Sequence, residues 1–281
     1  MVSSFGLRTT LAAALAAGAA AAHPCGPSSP WNLVWSDEFN ARAESPPDPA
    51  NWTFDIGGNG WGNRELQQYT DRVPLNAVVR DGSLAIRALR ETYTGPDGVT
   101  RAFTSARLKT LGHVSALYGR IEARIKVPSD RGLWPAFWML GEDIKTAGWP
   151  ECGEIDILEA RGREPSTVHG TIHGPGYAGS KGITASYTLP GLKRLADDFH
   201  VFAVEWESHA IHFYVDGNLY KTTTPSDLPA GSRWVFDHPF FVILNVAVGG
   251  EWSGDPDTST AFPQTMLVDY VRIFRRTAGQ E

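Results

Sequence analysis

The sequence of 281 residues has only two cysteines, Cys25 and Cys152, and it has no run of basic residues. Lys and Arg number 25 against 31 Asp and Glu, a formal net charge of −6. This balance argues against nucleic acid as a partner. One disulfide is allowed in an oxidising compartment. However, Cys152 lies two residues before an acidic cluster and Cys25 lies in a Pro-rich segment, which favours unpaired cysteines.

Long apolar runs are also lacking, apart from a short one near the start. Residues 1–22 contain Arg8 and then LAAALAAGAAAA, which predicts a secretory signal peptide cleaved after Ala22. Without Arg8 the charge becomes 24 − 31 = −7. No later stretch approaches the ~20 apolar residues of a membrane span. We therefore expect a secreted protein that has no membrane partner.

Helical periodicity is nearly absent from the sequence. Residues 23–30 form a short Pro/Ser spacer, and short alternating segments bounded by turn residues follow it. Asp216-Gly217 between two such segments indicates a β-hairpin. This pattern predicts one all-β domain over residues 31–276, a sandwich or a barrel. The clearest predicted strands are Ser83–Leu89, Arg120–Val127, Ala136–Leu140, Thr167–His173, Val201–Glu205, Ile211–Val215, Phe240–Val248 and Met266–Phe274.

Three acidic residues stand in the otherwise apolar segment WPECGEIDILEA, residues 149–160. On a strand, Glu154 and Asp156 face one way, and Ile155 and Ile157 face the other. Glu159 is five residues from Glu154, so a regular strand would turn it to the apolar side. A β-bulge near Ile157 and Leu158 would return it to the acidic face. We therefore predict a bulged strand with three carboxyls on one side.

Three clustered carboxyls fit either a hard cation or the hydrolysis of a glycoside. In retaining glycosidases a nucleophile and an acid/base lie about 5–5.5 Å apart, and a third acid raises the pKa of its neighbours. The alternative is a rim of solvated charges, which the interleaved aliphatic residues make less favourable.

The segment GEIDILE, preceded by GLWPAFWMLG at Gly132–Gly141, resembles glycoside hydrolase family 16 in its bulged, laminarinase-type branch. The unbulged lichenase branch has E-x-D-x-E, one residue shorter. The resemblance implies a jelly roll of two curved antiparallel sheets with a concave substrate cleft. It implies a retaining endo-β-1,3-glucanase in which Glu154 is the nucleophile, Glu159 the acid/base and Asp156 the supporting carboxylate.

Two kinds of alternative stay open at this point. A protein of the same fold can act on mixed-linkage β-1,3-1,4-glucan, a galactan or another polysaccharide, or transfer glycosyl groups. Non-catalytic glucan-recognition relatives typically lack one or both glutamates, and this chain has both. We expect a monomer that acts on β-glucan and needs no cofactor for catalysis.

Eight residues around the acids are candidates for binding the polysaccharide, and for each of them a structural role is the alternative. Some lie in the Gly- and amide-rich segment at residues 57–70 or in alternating segments. Two are tryptophans four residues apart, which places them about 13 Å from each other on a strand. His169 and His173 share a face, but no third ligand clusters with them to support zinc; the resemblance favours His173 as a partner of the acid/base. The candidates are Trp61, Asn63, Glu65, Arg107, Trp134, Trp138, His173 and Trp252.

The resemblance also implies a structural calcium ion that joins the two ends of the domain. It would be held by the side chain of Asp269 and by backbone oxygens of Glu38 and Gly82. The ion would take no part in the chemistry.

Overall fold

The computed structural model describes Met1 and residues 30–277. The predicted signal peptide, nearly all of the spacer and Cys25 lie outside the described residues. Cys152 is buried and its thiol is free.

Eighteen strands form nearly all of the regular structure in residues 30–277. The single α-helix of this part, Ile144–Ala147, has four residues, so none of its helices is long enough to cross a membrane. Three short 3-10 turns lie at Gly179–Lys181, Pro190–Leu192 and Pro225–Asp227. The strands are β1 Trp31–Asp37, β2 Thr53–Asp55, β3 Gln67–Tyr69, β4 Ala77–Arg80, β5 Ser83–Thr94, β6 Thr100–Ser105, β7 Arg107–Lys109, β8 Ser115–Ala116, β9 Gly119–Lys126, β10 Leu133–Gly141, β11 Glu154–Ala160, β12 Thr167–His173, β13 Ile183–Thr188, β14 His200–Glu207, β15 Ala210–Val215, β16 Asn218–Thr223, β17 Phe240–Val248 and β18 Gln264–Arg276.

These strands form two sheets. The ten-stranded sheet has the order β16-β15-β14-β9-β18-β5-β6-β3, with β1 paired to β18 and β4 paired to β5. The eight-stranded sheet has the order β13-β12-β11-β10-β17-β7-β2, with β8 paired to β17. All named pairs are antiparallel except β3 with β6. The predicted all-β jelly roll is confirmed.

The strand predictions hold closely because alternation and turn residues are local signals. Strands β12 and β17 have the predicted bounds, β9 begins and ends one residue before the predicted Arg120–Val127, and the other predicted strands lie inside longer observed ones. At the predicted hairpin, Asp216 and Gly217 both have positive φ, 49° and 77°, and Val215 pairs with Asn218. Two consecutive residues with positive φ are what a type I′ turn requires.

The hydrophobic core lies between the two sheets. Strand β17 is central in its sheet, and all nine of its residues are buried, which explains its continuous apolar sequence. Aromatic side chains fill much of the layer; Trp206 packs edge-on against Phe240 with ring centres 5.2 Å apart. The neighbouring strand β10 contributes buried Leu133, Phe137 and Met139 to this core, whereas its Trp134 reaches an acidic residue of β11, Glu159.

Candidate active site

Strand β11 carries the predicted bulge. It pairs with β10, and the register shifts between Phe137 and Trp138, opposite Leu158 and Asp156. Ile157 is therefore the additional residue. Both Ile157 and Leu158 are fully buried in the core, so the next residue, Glu159, returns to the side of the sheet that carries the other two acids. The three carboxyls share one face, as the sequence predicted.

Glu154 accepts a hydrogen bond from an indole N–H. Trp149 Nε1 lies 2.6 Å from Glu154 Oε2, while 48% of the tryptophan surface is exposed. The neighbouring strand places His173 directly opposite Glu154. The Trp149 hydrogen bond holds one oxygen of Glu154 and leaves the carboxyl accessible, since the residue is only half-buried. This suits a nucleophile.

Glu159 has a different set of neighbours. Trp134 Nε1 donates a hydrogen bond to Glu159 Oε1 at 3.0 Å. The Trp134 ring packs against Trp252 at 5.0 Å between ring centres. The guanidinium of Arg161 lies over Trp252, 4.5 Å from its ring centre. The indole of Trp134 is therefore fixed by packing, and it orients the carboxyl that the sequence assigns as acid/base.

Burial raises the pKa of all three carboxyls. The pKa of Glu154 rises to about 8, through burial and then repulsion from Asp156; the imidazole of His173 and the Trp149 hydrogen bond favour the ionised form. The pKa of Glu159 rises to about 7, mainly through burial. Asp156, which is 2% exposed, has a pKa well above its usual range through burial and the nearby Glu159 charge. The cluster thus keeps protons near neutral pH, as a general acid requires.

The two histidines of β12 lie opposite different glutamates of β11. His173 lies opposite Glu154, whereas His169 lies opposite Glu159. His173 Nε2 is 3.2 Å from Asp156 Oδ2, and its imidazole also favours the ionised form of Glu159, which opposes the burial that raises the pKa of that carboxyl; the role of His173 beside the acid/base stays a prediction. His169 is buried and packs edge-on against Trp252, with ring centres 5.1 Å apart.

A buried polar network connects the predicted sugar-binding loop to β17. Glu65 is buried, and burial raises its pKa; it accepts hydrogen bonds from Gln67 at 2.6 Å and Tyr69 at 3.3 Å. Asn245 donates to the Tyr69 hydroxyl at 3.0 Å and accepts from Trp138 Nε1 at 2.7 Å. Asn63 also donates to Glu65, at 3.3 Å. The carboxyl of Glu65 therefore organises this wall of the site.

Arg107 lies between two tryptophan rings. Its guanidinium carbon is 4.8 Å from the ring centre of Trp61 and 4.7 Å from that of Trp138. Its Nε is 2.9 Å from Asp55 Oδ2, and Lys109 pairs with the other oxygen of Asp55. Arg107 and Lys109 do share a face, as predicted. The guanidinium covers one face of the Trp61 ring and one face of the Trp138 ring, so those two ring faces are not free to stack on a sugar.

The segments of the expected calcium site are close together, and one oxygen of its single side-chain ligand is paired with an arginine. The Gly82 N–H donates to the backbone oxygen of Ala41 at 3.3 Å, which places that turn beside the segment after Glu38. Asp269 Oδ2, however, is 2.8 Å from a guanidinium nitrogen of Arg124. As arranged, the single side-chain ligand is already neutralised by a cation. The calcium ion remains a prediction that requires this pair to open.

Several residues of the site were not selected from the sequence. Trp149 was read as part of the acidic segment and not as a donor to Glu154. The sequence patterns did not single out Tyr69, Arg161 or Asn245. The Trp-Pro pair before the acids was a usable local signal for Trp149; the others act through partners that are distant in sequence.

The fold is a β-jelly roll, and one sheet carries a cluster of carboxyl groups with raised pKa values. Glycosidases that work with a pair of carboxyl groups form the class of protein that this combination defines. The sequence profile of Glycosyl hydrolases family 16 matches residues 65–272, and this chain belongs to that family. The confirmed fold and the match agree on a glycoside hydrolase.

Individual relatives support the same assignment. A protein named beta-glucanase from Rhodothermus marinus is 46% identical over 258 residues, 87% of this chain and 85% of the relative. The crystal structure of an endo-beta-1,3-glucanase from Pyrococcus furiosus is 49% identical, with a TM-score of 0.84, and covers 89% of this chain and 96% of that one. A protein named beta-1,3-glucan-binding protein from Penaeus monodon is 31% identical, covering 84% of this chain and 79% of the relative.

Proposed function

We propose that this protein hydrolyses β-1,3-glucan at internal linkages by a retaining, double-displacement reaction. The observation that carries this proposal is the bulged strand, which presents Glu154, Asp156 and Glu159 on one face with different hydrogen-bond donors on the two glutamates. The names of the similar proteins support the choice of β-1,3-glucan as substrate.

In the first step, Glu154 attacks the anomeric carbon while Glu159 protonates the leaving oxygen. The Trp149 N–H holds one oxygen of Glu154 and favours its ionised form. Burial raises the pKa of both glutamates, to about 8 for Glu154 and about 7 for Glu159, so the cluster keeps a proton available for the leaving group; the assignment of the two roles rests on the motif and not on the order of these values. In the second step, Glu159 takes a proton from water while the water oxygen attacks the anomeric carbon, which breaks the bond to Glu154 and releases the sugar. Asp156 shapes the charge and the hydrogen bonding of the pair in both steps.

The polysaccharide would lie along the face that carries these residues. Trp134 and Trp252 form one aromatic pair beside Glu159, and Trp61 with Arg107 forms an edge near Glu65. Aromatic faces suit the C–H faces of sugar rings, while Arg107 donates hydrogen bonds in a fixed planar arrangement. We place these groups on the two sides of the scissile bond.

The roles of the two glutamates can be separated by azide rescue with an activated aryl β-laminaribioside. Glu154→Ala with azide should yield the α-glycosyl azide, because azide replaces the nucleophile. Glu159→Ala with azide should yield the β-glycosyl azide, because the glycosyl-enzyme still forms. The same anomer from both variants would refute the assignment of roles.

The substrate is tested with laminarin, mixed-linkage barley glucan, cellulose and agarose, followed over time by product chromatography. We expect short laminari-oligosaccharides from the parent protein and none from Glu154→Gln. Products from barley glucan alone would keep the mechanism and change the substrate. Tight glucan binding without products would favour the second candidate, a glucan-recognition protein, to which the Penaeus monodon relative points.

The proposal includes secretion and a monomeric state. Secretion depends on the signal peptide predicted for residues 1–22. Export can be tested by N-terminal sequencing of protein from the culture medium, where we expect His23 to be the first residue. Light scattering at working concentration should give the mass of one chain.

A further inference from the structure

Three potential metal ligands meet where β11 pairs with β12. Glu154, Asp156 and His173 each offer one ligand atom, and these atoms lie within 4.8 Å of one another. We propose that these three residues bind a divalent transition metal such as Zn²⁺, and that the bound metal blocks the active site. The inhibition rests on the proposed hydrolysis, whereas the binding does not.

The geometry fits a zinc ion. Zinc binds nitrogen and carboxylate oxygen at about 2.0–2.2 Å in a tetrahedron, so neighbouring ligand atoms lie about 3.4 Å apart. His173 Nε2 and Asp156 Oδ2 are 3.2 Å apart, close to one edge of such a tetrahedron. Glu154 is the strand partner of His173 and supplies a third ligand. Glu154 is half-buried, so we propose that a water molecule completes the tetrahedron.

Asp156 provides an independent indication of a ligand. The residue is 2% exposed; its Oδ2 meets no hydrogen-bond donor among the described residues, and the close partner of its carboxyl is that of Glu154, itself one of the three proposed ligands. The 3.2 Å contact with His173 lacks hydrogen-bond geometry, and His173 Nδ1 also has no hydrogen-bond partner in residues 30–277. Buried carboxylate oxygens are normally satisfied, so an unpartnered oxygen that faces an imidazole nitrogen is a position that a metal ion would complete.

The donor set selects the kind of metal. Calcium takes six to eight oxygen ligands, and here one of three ligands is an imidazole. Mixed imidazole and carboxylate sites suit zinc and its neighbours in the first transition series. This site therefore differs in place and in chemistry from the calcium ion predicted at Asp269. Since Glu154 cannot ligate zinc and attack an anomeric carbon at the same time, metal and glucan exclude each other.

Binding is measured by calorimetry with ZnCl₂, and with CoCl₂ for its visible spectrum, on the whole mature chain with millimolar Ca²⁺ present. The Ca²⁺ occupies the predicted calcium site. The background variant is Glu159→Gln, because Glu159 is not a ligand and this variant should hold a laminari-oligosaccharide without cutting it. We expect one zinc per chain, a tetrahedral cobalt spectrum, and displacement of the metal by the oligosaccharide.

Two ligand variants and one control locate the site. His173→Gln and Asp156→Asn should each weaken zinc binding by at least ~10-fold, since loss of an outer-sphere partner already costs that much. His169→Gln, four residues away on the same strand face, should change the affinity less than ~2-fold. In the parent protein, zinc should raise the apparent KM for laminarin and leave kcat unchanged. The proposal is refuted by no binding at millimolar zinc, by equal binding in all variants, or by inhibition that glucan does not relieve.

Discussion

Replacing Glu159 by Gln should make the protein more stable at alkaline pH. The amide oxygen can still accept the Trp134 hydrogen bond of 3.0 Å, so the substitution removes the charge and keeps the contact. In the parent protein, burial raises the pKa of Glu159 from its ordinary 4.5 to about 7. The folded state therefore binds this proton more tightly than the unfolded state does.

The sign and size of the effect follow from this shift. A raised pKa in the folded state stabilises the protein fully below pH 4.5, and the contribution is lost as pH rises through 7. The difference, 7 − 4.5 = 2.5, corresponds to roughly 3 kcal/mol at 1.36 kcal/mol per pKa unit. The Gln side chain does not titrate, so its advantage over Glu should grow by about that amount between pH 4 and pH 8.

Urea unfolding followed by tryptophan fluorescence measures this advantage at both pH values. At pH 8 the gain should also raise Tm by roughly 2–4 °C per kcal/mol. Glu251→Gln is the control, because the Glu251 side chain is 61% exposed and its removal should not produce this pH dependence. An equal gain at pH 4 and pH 8, or no gain at pH 8, would show that burial does not hold a proton on Glu159.

Three further changes test other parts of the structure. Trp149→Phe removes the donor to Glu154; because charge-assisted hydrogen bonds contribute about 1.5–3 kcal/mol, kcat/KM should fall about tenfold or more while Tm stays unchanged. Trp138→Phe leaves buried Asn245 Oδ1 without its donor and should lower the free energy of unfolding in urea by about 1–3 kcal/mol. Millimolar Ca²⁺ should raise Tm in the parent protein and not in Asp269→Asn. The rise should be larger in Arg124→Gln, which removes the partner of Asp269. Identical melting with Ca²⁺ and with EDTA in the parent and in both variants would rule out the calcium ion.

Local patterns in the sequence were sufficient for the strands and for the face of β11. The alternation of Ile155 and Ile157 with Glu154 and Asp156 shows which side chains share a face, and the odd offset of Glu159 requires one additional residue. These signals depend on a few neighbouring residues and on the period of a strand, so they can be read without knowing which other strands pair with β11.

Contacts between distant strands could not be predicted in this way. His169 and His173 were known to share a face, but the register between β11 and β12 decides which acid each one meets, and register depends on the whole sheet. Similarly, Asp269 has the chemistry of a calcium ligand, and the fold brings the guanidinium of Arg124 to it. Arg107 was selected correctly, yet its position between two indoles results from a loop and two separate strands.

Strand β11 has to satisfy two incompatible demands, and the bulge resolves them. The core needs consecutive apolar residues at this point, because Ile157 and Leu158 are both fully buried. The active site needs carboxyls that cannot enter the core without a large free-energy cost. A regular strand of this sequence would bury Glu159 and expose Leu158. The additional residue lets the core keep both side chains while Glu159 reaches the Trp134 hydrogen bond, so one short segment supplies the core and the chemistry together.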